Sequence, residues 1–213
     1  MSTAIVHKPR ILQINASIFG DNGQSSQLSH YLVQQIQAQQ PAELTYRDLA
    51  AEPLPHLSAE AVQALITPAA ERTMDQQAIV TIADLLINEL KEADILVLSA
   101  PMYNFAVPSV VKAWMDYVAR PGETFMFAEH GPVGLLDSQK VVYVVSTRGG
   151  LHQGKVSDSL TPFVNTFLNF LGLSDIRWIY AEGINMADYK DNALANAKAT
   201  IDRYLVGSNP VDK

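Results

Sequence analysis

The clearest hydrophobic signal in the chain is Ile95-Leu96-Val97-Leu98, inside the stretch DILVLSAPMYNF. An apolar run with no polar alternation predicts a strand covered on both faces of a parallel sheet. Lys140–Thr147 (KVVYVVST) has the same character, and Arg10–Asn15 (RILQIN), Glu43–Asp48 (ELTYRD) and Ile176–Tyr180 (IRWIY) read as further strands. Between these runs the apolar spacing lengthens to that of a helix. It groups Leu28, Leu32 and Ile36, then Ile79, Ile82, Leu86 and Leu90, then Val110, Val111, Trp114, Tyr117 and Val118. Phe163, Val164, Phe167, Leu168 and Leu171 follow, with Pro162 near the start and Gly172 past the end, and Leu194, Ala197, Ile201 and Leu205 line a closing helix.

Strands alternating with helices in this way predict one α/β domain over residues 1–213. Its core is a doubly wound, five-stranded parallel sheet in the order 2-1-3-4-5, with helices on both faces. Two stretches depart from the simple repeat. Residues 50–76 carry Pro53, Pro55 and Pro68 around one short helical piece near Ser58–Leu65, and serve either assembly or mere coverage of the sheet. Residues 120–139 include Thr124-Phe125-Met126-Phe127, unusually apolar for a loop.

Composition narrows the function. The chain has 213 residues, 48% of them hydrophobic, which supports a full core. A formal net charge of -7 argues against a nucleic-acid partner and against a polybasic membrane contact. No apolar run approaches the roughly 20 residues that span a bilayer. In MSTAIVHKPRILQ the cations Lys8 and Arg10 follow the short apolar patch, the reverse of a signal peptide. The absence of cysteine leaves no thiolate nucleophile and no iron–sulfur ligands, and makes a reducing cytoplasm the default location. His7, His30, His56, His130 and His152 show no paired spacing, so no metal site is expected. There is no G-x-S-x-G elbow, and the central strand ends in Ser99-Ala100-Pro101 rather than an acidic residue.

The candidate chemistry lies in three loops at the carboxyl ends of strands, where open α/β sheets bind ligands. The first, residues 16–26, offers Ser17, Gly23, Gln24, Ser25 and Ser26 at a helix start, with no Lys or Arg from Ser17 to Ser26. It lacks G-x-G-x-x-G and a P-loop. Such a loop suits a terminal monophosphate held by neutral donors; alternatively, Ser25 simply caps the helix. The second, Met102-Tyr103-Asn104-Phe105 after Pro101, suits a flat ring with polar edges, or else packs its aromatics on the sheet. The third, Thr147-Arg148-Gly149-Gly150, allows close backbone approach and stabilisation of negative charge, or is a tight turn needing positive φ at one glycine. His152, just beyond, either faces the ligand or is exposed.

Together, APMYNF at Ala100–Phe105, the Gln24-Ser25 helix start, the Thr147-Arg148-Gly149-Gly150 turn and the following Thr161-Pro162-Phe163 helix resemble the FMN-dependent NADH:quinone oxidoreductases and azoreductases of bacteria, over about Arg10 to Leu205. The resemblance implies a flavodoxin-like fold and a homodimer with one FMN per subunit near the interface. It implies that Ser17, Gln24 and Ser25 bind the phosphate, and that Met102, Tyr103, Asn104 and Phe105 contact the flavin ring. Thr147, Arg148, Gly149 and Gly150 are implied at the pyrimidine edge. Gly23 stands where members often carry serine, keeping an N–H but losing a hydroxyl.

The expected activity is transfer of hydride from NADH or NADPH through FMN to quinones or azo compounds, in a ping-pong cycle with no catalytic side chain. Phe125 and Phe127 are candidates for the substrate wall, from their own or the partner subunit; the other reading is a small hairpin packed on its own chain. A flavodoxin-type electron carrier and an FMN-free binding module are the rival functions.

Overall fold

The computed structural model describes residues 8–206. His7 and the rest of residues 1–7, on which the reading of the amino terminus partly rests, lie outside the described residues. The strands are β1 (Arg10–Asn15), β2 (Glu43–Asp48), β3 (Ile95–Ser99), β4 (Phe125–Ala128), β5 (Gly131–Gly134), β6 (Val141–Arg148) and β7 (Asp175–Glu182). The helices are α1 (Gln24–Gln39), α2 (Ala59–Ile66), α3 (Met74–Glu92), α4 (Ser109–Val118), α5 (Leu160–Phe170) and α6 (Ala187–Leu205).

One parallel sheet runs β2-β1-β3-β6-β7, the expected order once the β4–β5 hairpin is set aside. Ile11 pairs with Ile95, and Ile95 with Val141, so the three central strands start level. Alternate side chains enter two separate cores. Leu12, Ile14, Leu96, Leu98, Val142 and Val144 pack with Leu86, Leu90, Trp114, Val164 and Leu168 on the α3, α4 and α5 side. Ile11, Ile95, Val97, Tyr143 and Val145 pack with Leu28, Leu32 and Ile201 on the α1 and α6 side. Burial on both faces is why the central strands read as unbroken apolar runs.

Some helix faces differ from expectation. Val80, Ala83, Leu86, Ile87 and Leu90 form the buried face of α3. Ile82 is 37% exposed, because at 3.6 residues per turn it lies about 100° from the centre of that face. Phe163 on α5 is likewise exposed while Leu160, Val164 and Leu168 face the sheet. The excursion expected over 50–76 is shorter. Ser58 caps α2, accepting from the Ala61 N–H at 3.2 Å, and α3 already begins at Met74 behind a Thr73/Gln76 capping box.

The apolar part of 120–139 is the β4–β5 hairpin, with Phe125 opposite Gly134. It sits backbone to backbone on the end of α5: a Cβ on Gly134 would lie 2.0 Å from the Gly172 nitrogen. Gly172 itself ends the helix at φ +98°. Among the described residues, no helix is long and apolar enough to cross a membrane.

Candidate functional site

β1 lies between β2 and β3, where the strand order reverses and an open α/β sheet leaves a crevice at its carboxyl edge. Beyond β1 the chain folds into a short turn: the Gly20 N–H donates to the Ser17 carbonyl at 3.0 Å and the Gly23 N–H to the Gly20 carbonyl at 3.1 Å. Gly23, not Ser25, precedes the first turn of α1, and it supplies no side-chain cap. The alternative in which Ser25 caps the helix is therefore corrected.

The first bond closing α1 runs from the Gln27 N–H to the Gly23 carbonyl, at 3.0 Å. Among the described residues, the N–H groups of Gln24, Ser25 and Ser26 find no backbone acceptor. Three buried side-chain atoms at the same place also lack partners: Gln24 Oε1, Ser25 Oγ and Ser26 Oγ. Buried polar groups are normally satisfied, and leaving them unpaired is costly. The two hydroxyls and the free N–H groups, at the positive end of a helix and with no Lys or Arg in the loop, mark a cradle for an anion recognised by neutral donors; the Gln24 amide oxygen only accepts, so Gln24 contributes through its main-chain N–H. Ser17 is buried on the facing side, its Oγ accepting from the Phe19 N–H at 3.2 Å. A Cβ at Gly23 would fall 2.0 Å from Ser17 Oγ. A side chain at position 23 would therefore require Ser17 to shift from the position it takes here.

The second loop meets the first through Ser17 Oγ and the Tyr103 hydroxyl, 3.4 Å apart. Tyr103 and Ala106 bond to each other in both directions, at 3.0 and 3.1 Å, closing a two-residue turn. Its centre is Asn104 at φ +49° and Phe105 at φ +67°, a left-handed pair without glycine that only firm surroundings maintain. Met102 is partly buried against the core, with its N–H donating to the Thr147 carbonyl at 2.9 Å. Phe105 is exposed and forms an apolar rim with Ile18 and Phe19 of the first loop, two residues that the sequence alone did not single out.

The third loop is tied to the second. The Ser159 hydroxyl donates to the Phe105 carbonyl, and the His152 ring meets the Phe105 ring edge-on at 5.5 Å. Neither Gly149 nor Gly150 takes a positive φ, which corrects the tight-turn alternative. Their need is space, since a Cβ on Gly149 would lie 2.6 Å from Asn185 Nδ2. The N–H groups of Gly149 and Gly150 meet no acceptor among the described residues.

Arg148 is placed differently from expectation. Its side chain is fully buried, and Nη1 lies 3.0 Å from Asp158 Oδ2 and 3.3 Å from Glu182 Oε1. Nη2 donates to Thr161 Oγ1 at 2.8 Å and Nε to Ser146 Oγ at 3.2 Å, with the guanidinium over the Tyr180 ring. Every arm is committed within the protein, so only the main chain of Arg148 borders the crevice. Glu182 Oε1 also accepts the N–H groups of His152 and Gln153, both at 2.8 Å. Burial opposes ionisation of Asp158, but hydrogen bonds from Arg148 and from the Thr161 N–H and hydroxyl outweigh it and hold the carboxyl below its usual range. Asp158 and Thr161 stand in the Asp-x-x-Thr spacing that signals a helix start. Nothing local in the sequence marks Glu182.

Phe125 and Phe127 do not join this rim within one chain. The amino end of α5 touches Phe105, while its carboxyl end leads to the start of β7 at the opposite edge of the sheet. Phe125, 6% exposed, packs there on Phe170 with ring centres 4.4 Å apart. That is about 15 Å of helix away from Ser159. Phe125 is therefore part of its own chain's packing rather than a wall of its own crevice. Phe127 touches Phe125 but is 74% exposed. No group of three His, Cys, Asp or Glu side chains among the described residues is arranged to hold a metal.

A family profile described as flavodoxin-like fold matches residues 9–205. An FMN-dependent NADH:quinone oxidoreductase of Cellvibrio japonicus (strain Ueda107) is 50% identical over 196 residues, covering 92% of this chain and 98% of the relative. One from Alcanivorax borkumensis is 46% identical over 193 residues, covering 90% and 97%. The crystal structure of an FMN-dependent NADH-azoreductase from Bacillus anthracis in complex with FMN superposes with a TM-score of 0.80 at 22% identity. It covers 92% of this chain and 99% of the other, and shows the shared fold.

Proposed function

This chain belongs to the flavodoxin-like family of FMN-dependent NADH:quinone oxidoreductases, and from that membership we infer an enzyme that oxidises NADH and reduces quinones and azo compounds. The observation that carries the reading is the unpartnered cradle at the start of α1, facing the Tyr103 turn across Ser17. An uncharged set of N–H and hydroxyl donors fits the phosphate monoester of FMN, and the exposed apolar rim fits its ring.

In this reading Ser17, Gln24 and Ser25 hold the phosphate, joined by Ser26 and the Gly23 turn. Met102, Tyr103, Asn104 and Phe105 carry one face of the ring. Thr147 and the free N–H groups of Gly149 and Gly150 serve the pyrimidine edge, and Arg148 acts from beneath by fixing the turn. Bound FMN supplies two-electron chemistry, with NADH and the acceptor using the same place in succession, a ping-pong cycle. The side chains bind, orient and exclude water. None is required as a nucleophile, and Ile18, Phe19 and Phe105 keep the stacking surface apolar.

The active form is a homodimer in the cytoplasm, and Phe127 lines the partner subunit's crevice. Phe127→Ala is then expected to raise the quinone KM about 5–10-fold, the effect of ~1–1.4 kcal/mol of lost contact, without lowering the melting temperature. Phe125→Ala is expected to destabilise the fold by about 3–5 kcal/mol. An unchanged KM in Phe127→Ala removes the hairpin from the site.

The reading is tested by titrating the purified apo-protein with FMN, then adding NADH without oxygen and finally a benzoquinone. Saturable binding, bleaching of the flavin band and steady NADH consumption are expected. Binding and bleaching without turnover point instead to an electron carrier, and no FMN binding overturns the reading altogether.

A further inference from the structure

Behind the proposed phosphate cradle lies a second polar cluster with no part in the reading above. Asp21 is the single charged residue of the loop 16–26. Its Oδ1 accepts from two directions: His30 Nε2 lies at 3.2 Å, and the Tyr46 hydroxyl donates at 3.3 Å. The His30 and Tyr46 rings stack, with centres 5.6 Å apart and planes at 30°.

Both donors are set from inside the sheet. Gln13 and Asn15 of β1 are buried amides in a strand otherwise apolar on that face. Gln13 Nε2, which can only donate, lies 3.0 Å from His30 Nδ1; in the tautomer that accepts this bond, the ring hydrogen is on Nε2, 3.2 Å from Asp21 Oδ1 and 3.5 Å from Asn15 Nδ2. Asn15 Nδ2 donates to the Tyr46 hydroxyl at 3.1 Å, so that its hydrogen also points at Asp21. Burying two amides in a strand core is costly unless they are used. Besides bonding each other and Ser29, at 3.4, 3.1 and 2.8 Å, they contact the two donors from α1 and β2 that meet one carboxylate on the adjoining turn. Asp48, the last residue of β2, is a second carboxylate whose charge reaches Tyr46, but only Asp21 accepts a hydrogen bond from it.

An untethered Asp21 would put a carboxylate beside N–H groups meant for an anion. It would repel a phosphate and compete for the same donors. We propose that His30 and Tyr46 are positioning residues that hold Asp21 away from the cradle. By doing so they lock the Gly20–Asn22 turn and set the preference for phosphorylated over unphosphorylated flavin. The inference rests on the FMN reading above and adds a selectivity device to it.

The test is equilibrium titration of apo-protein with FMN and with riboflavin, followed by fluorescence quenching at low and high salt. His30→Ala is expected to weaken FMN about 5–10-fold while leaving riboflavin unchanged, and the loss shrinks at high salt because one like charge causes it. Tyr46→Phe, which removes only the hydroxyl, gives a smaller loss in the same direction. Adding Asp21→Asn to either variant restores FMN affinity. Equal weakening of both flavins, a salt-independent loss, or no rescue by Asp21→Asn overturns the proposal and leaves the cluster a purely structural one. If the wild-type protein binds riboflavin but shows no gain from the phosphate, the cradle itself is misassigned. Failure to bind either flavin points to the FMN reading rather than to the clasp. Should His30→Ala not fold, Tyr46→Phe with and without Asp21→Asn decides the question alone.

Discussion

Arg148→Met is expected to cost about 3–5 kcal/mol of folding stability, because it strips the paired guanidinium from two largely buried carboxylates. Methionine fills much of the volume but cannot satisfy Asp158, Glu182, Thr161 or Ser146. The loss also has a pH signature. Asp158 ionises more readily folded than unfolded, so its contribution is fully present above the unfolded carboxylate value, about 3.9. That contribution fades as pH falls through the lower folded value. Urea unfolding between pH 7 and pH 3 should therefore show the wild type losing stability on the acid side. The variant should start lower and lose less, because its orphaned carboxylates become easier to protonate. The same substitution should slacken the Asn104–Phe105 turn, since Asp158 starts the helix whose Ser159 grips the Phe105 carbonyl. An Arg148→Met protein as stable as wild type would show that the buried ions are individually dispensable.

Ser25→Asp should move stability and binding in opposite directions. Ser25 is buried with an unpartnered hydroxyl at the first turn of α1. A carboxylate there occupies the free N–H groups and meets the positive end of the helix, worth up to about 1 kcal/mol to the apo-protein. It also places a negative charge where the FMN phosphate is proposed to sit. Repulsion of several kcal/mol at close range corresponds to at least about 100-fold weaker FMN binding. Thermal melting and flavin titration read the two effects separately. An unchanged FMN affinity would move the phosphate to another loop.

The strands were legible because each buried strand has neighbours on both faces, which removes polar residues from the run. Ile95–Leu98 and Val141–Val145 carry that signature in full. The rim loops were legible because turn-forming residues follow those runs directly. Partnership was not legible. Arg148 precedes Asp158 by ten residues and Glu182 by 34, and a short motif does not record which distant acceptors a guanidinium will find. Gly23 as the residue before α1 was hidden by two serines that are better caps by composition. Phe125 and Phe127 sit on the same face of β4 by the two-residue period, so pattern alone could not separate the one α5 covers from the one that extends past it. Ile82 shows the reverse error: its spacing fits a helix, but the sheet covers a neighbouring stripe.

The length of α5 is fixed from both ends. Ser159 holds the carbonyl of one turn, and thirteen residues later Gly172 fits against a hairpin too closely for any Cβ. One added residue would wind the far end round by about 100° and advance it 1.5 Å. Either the grip on Phe105 or the seat of Gly134 would then be lost. This helix works as a ruler between the two rims of the sheet, and changes of chain length are better absorbed around α2, whose surroundings set no such gauge.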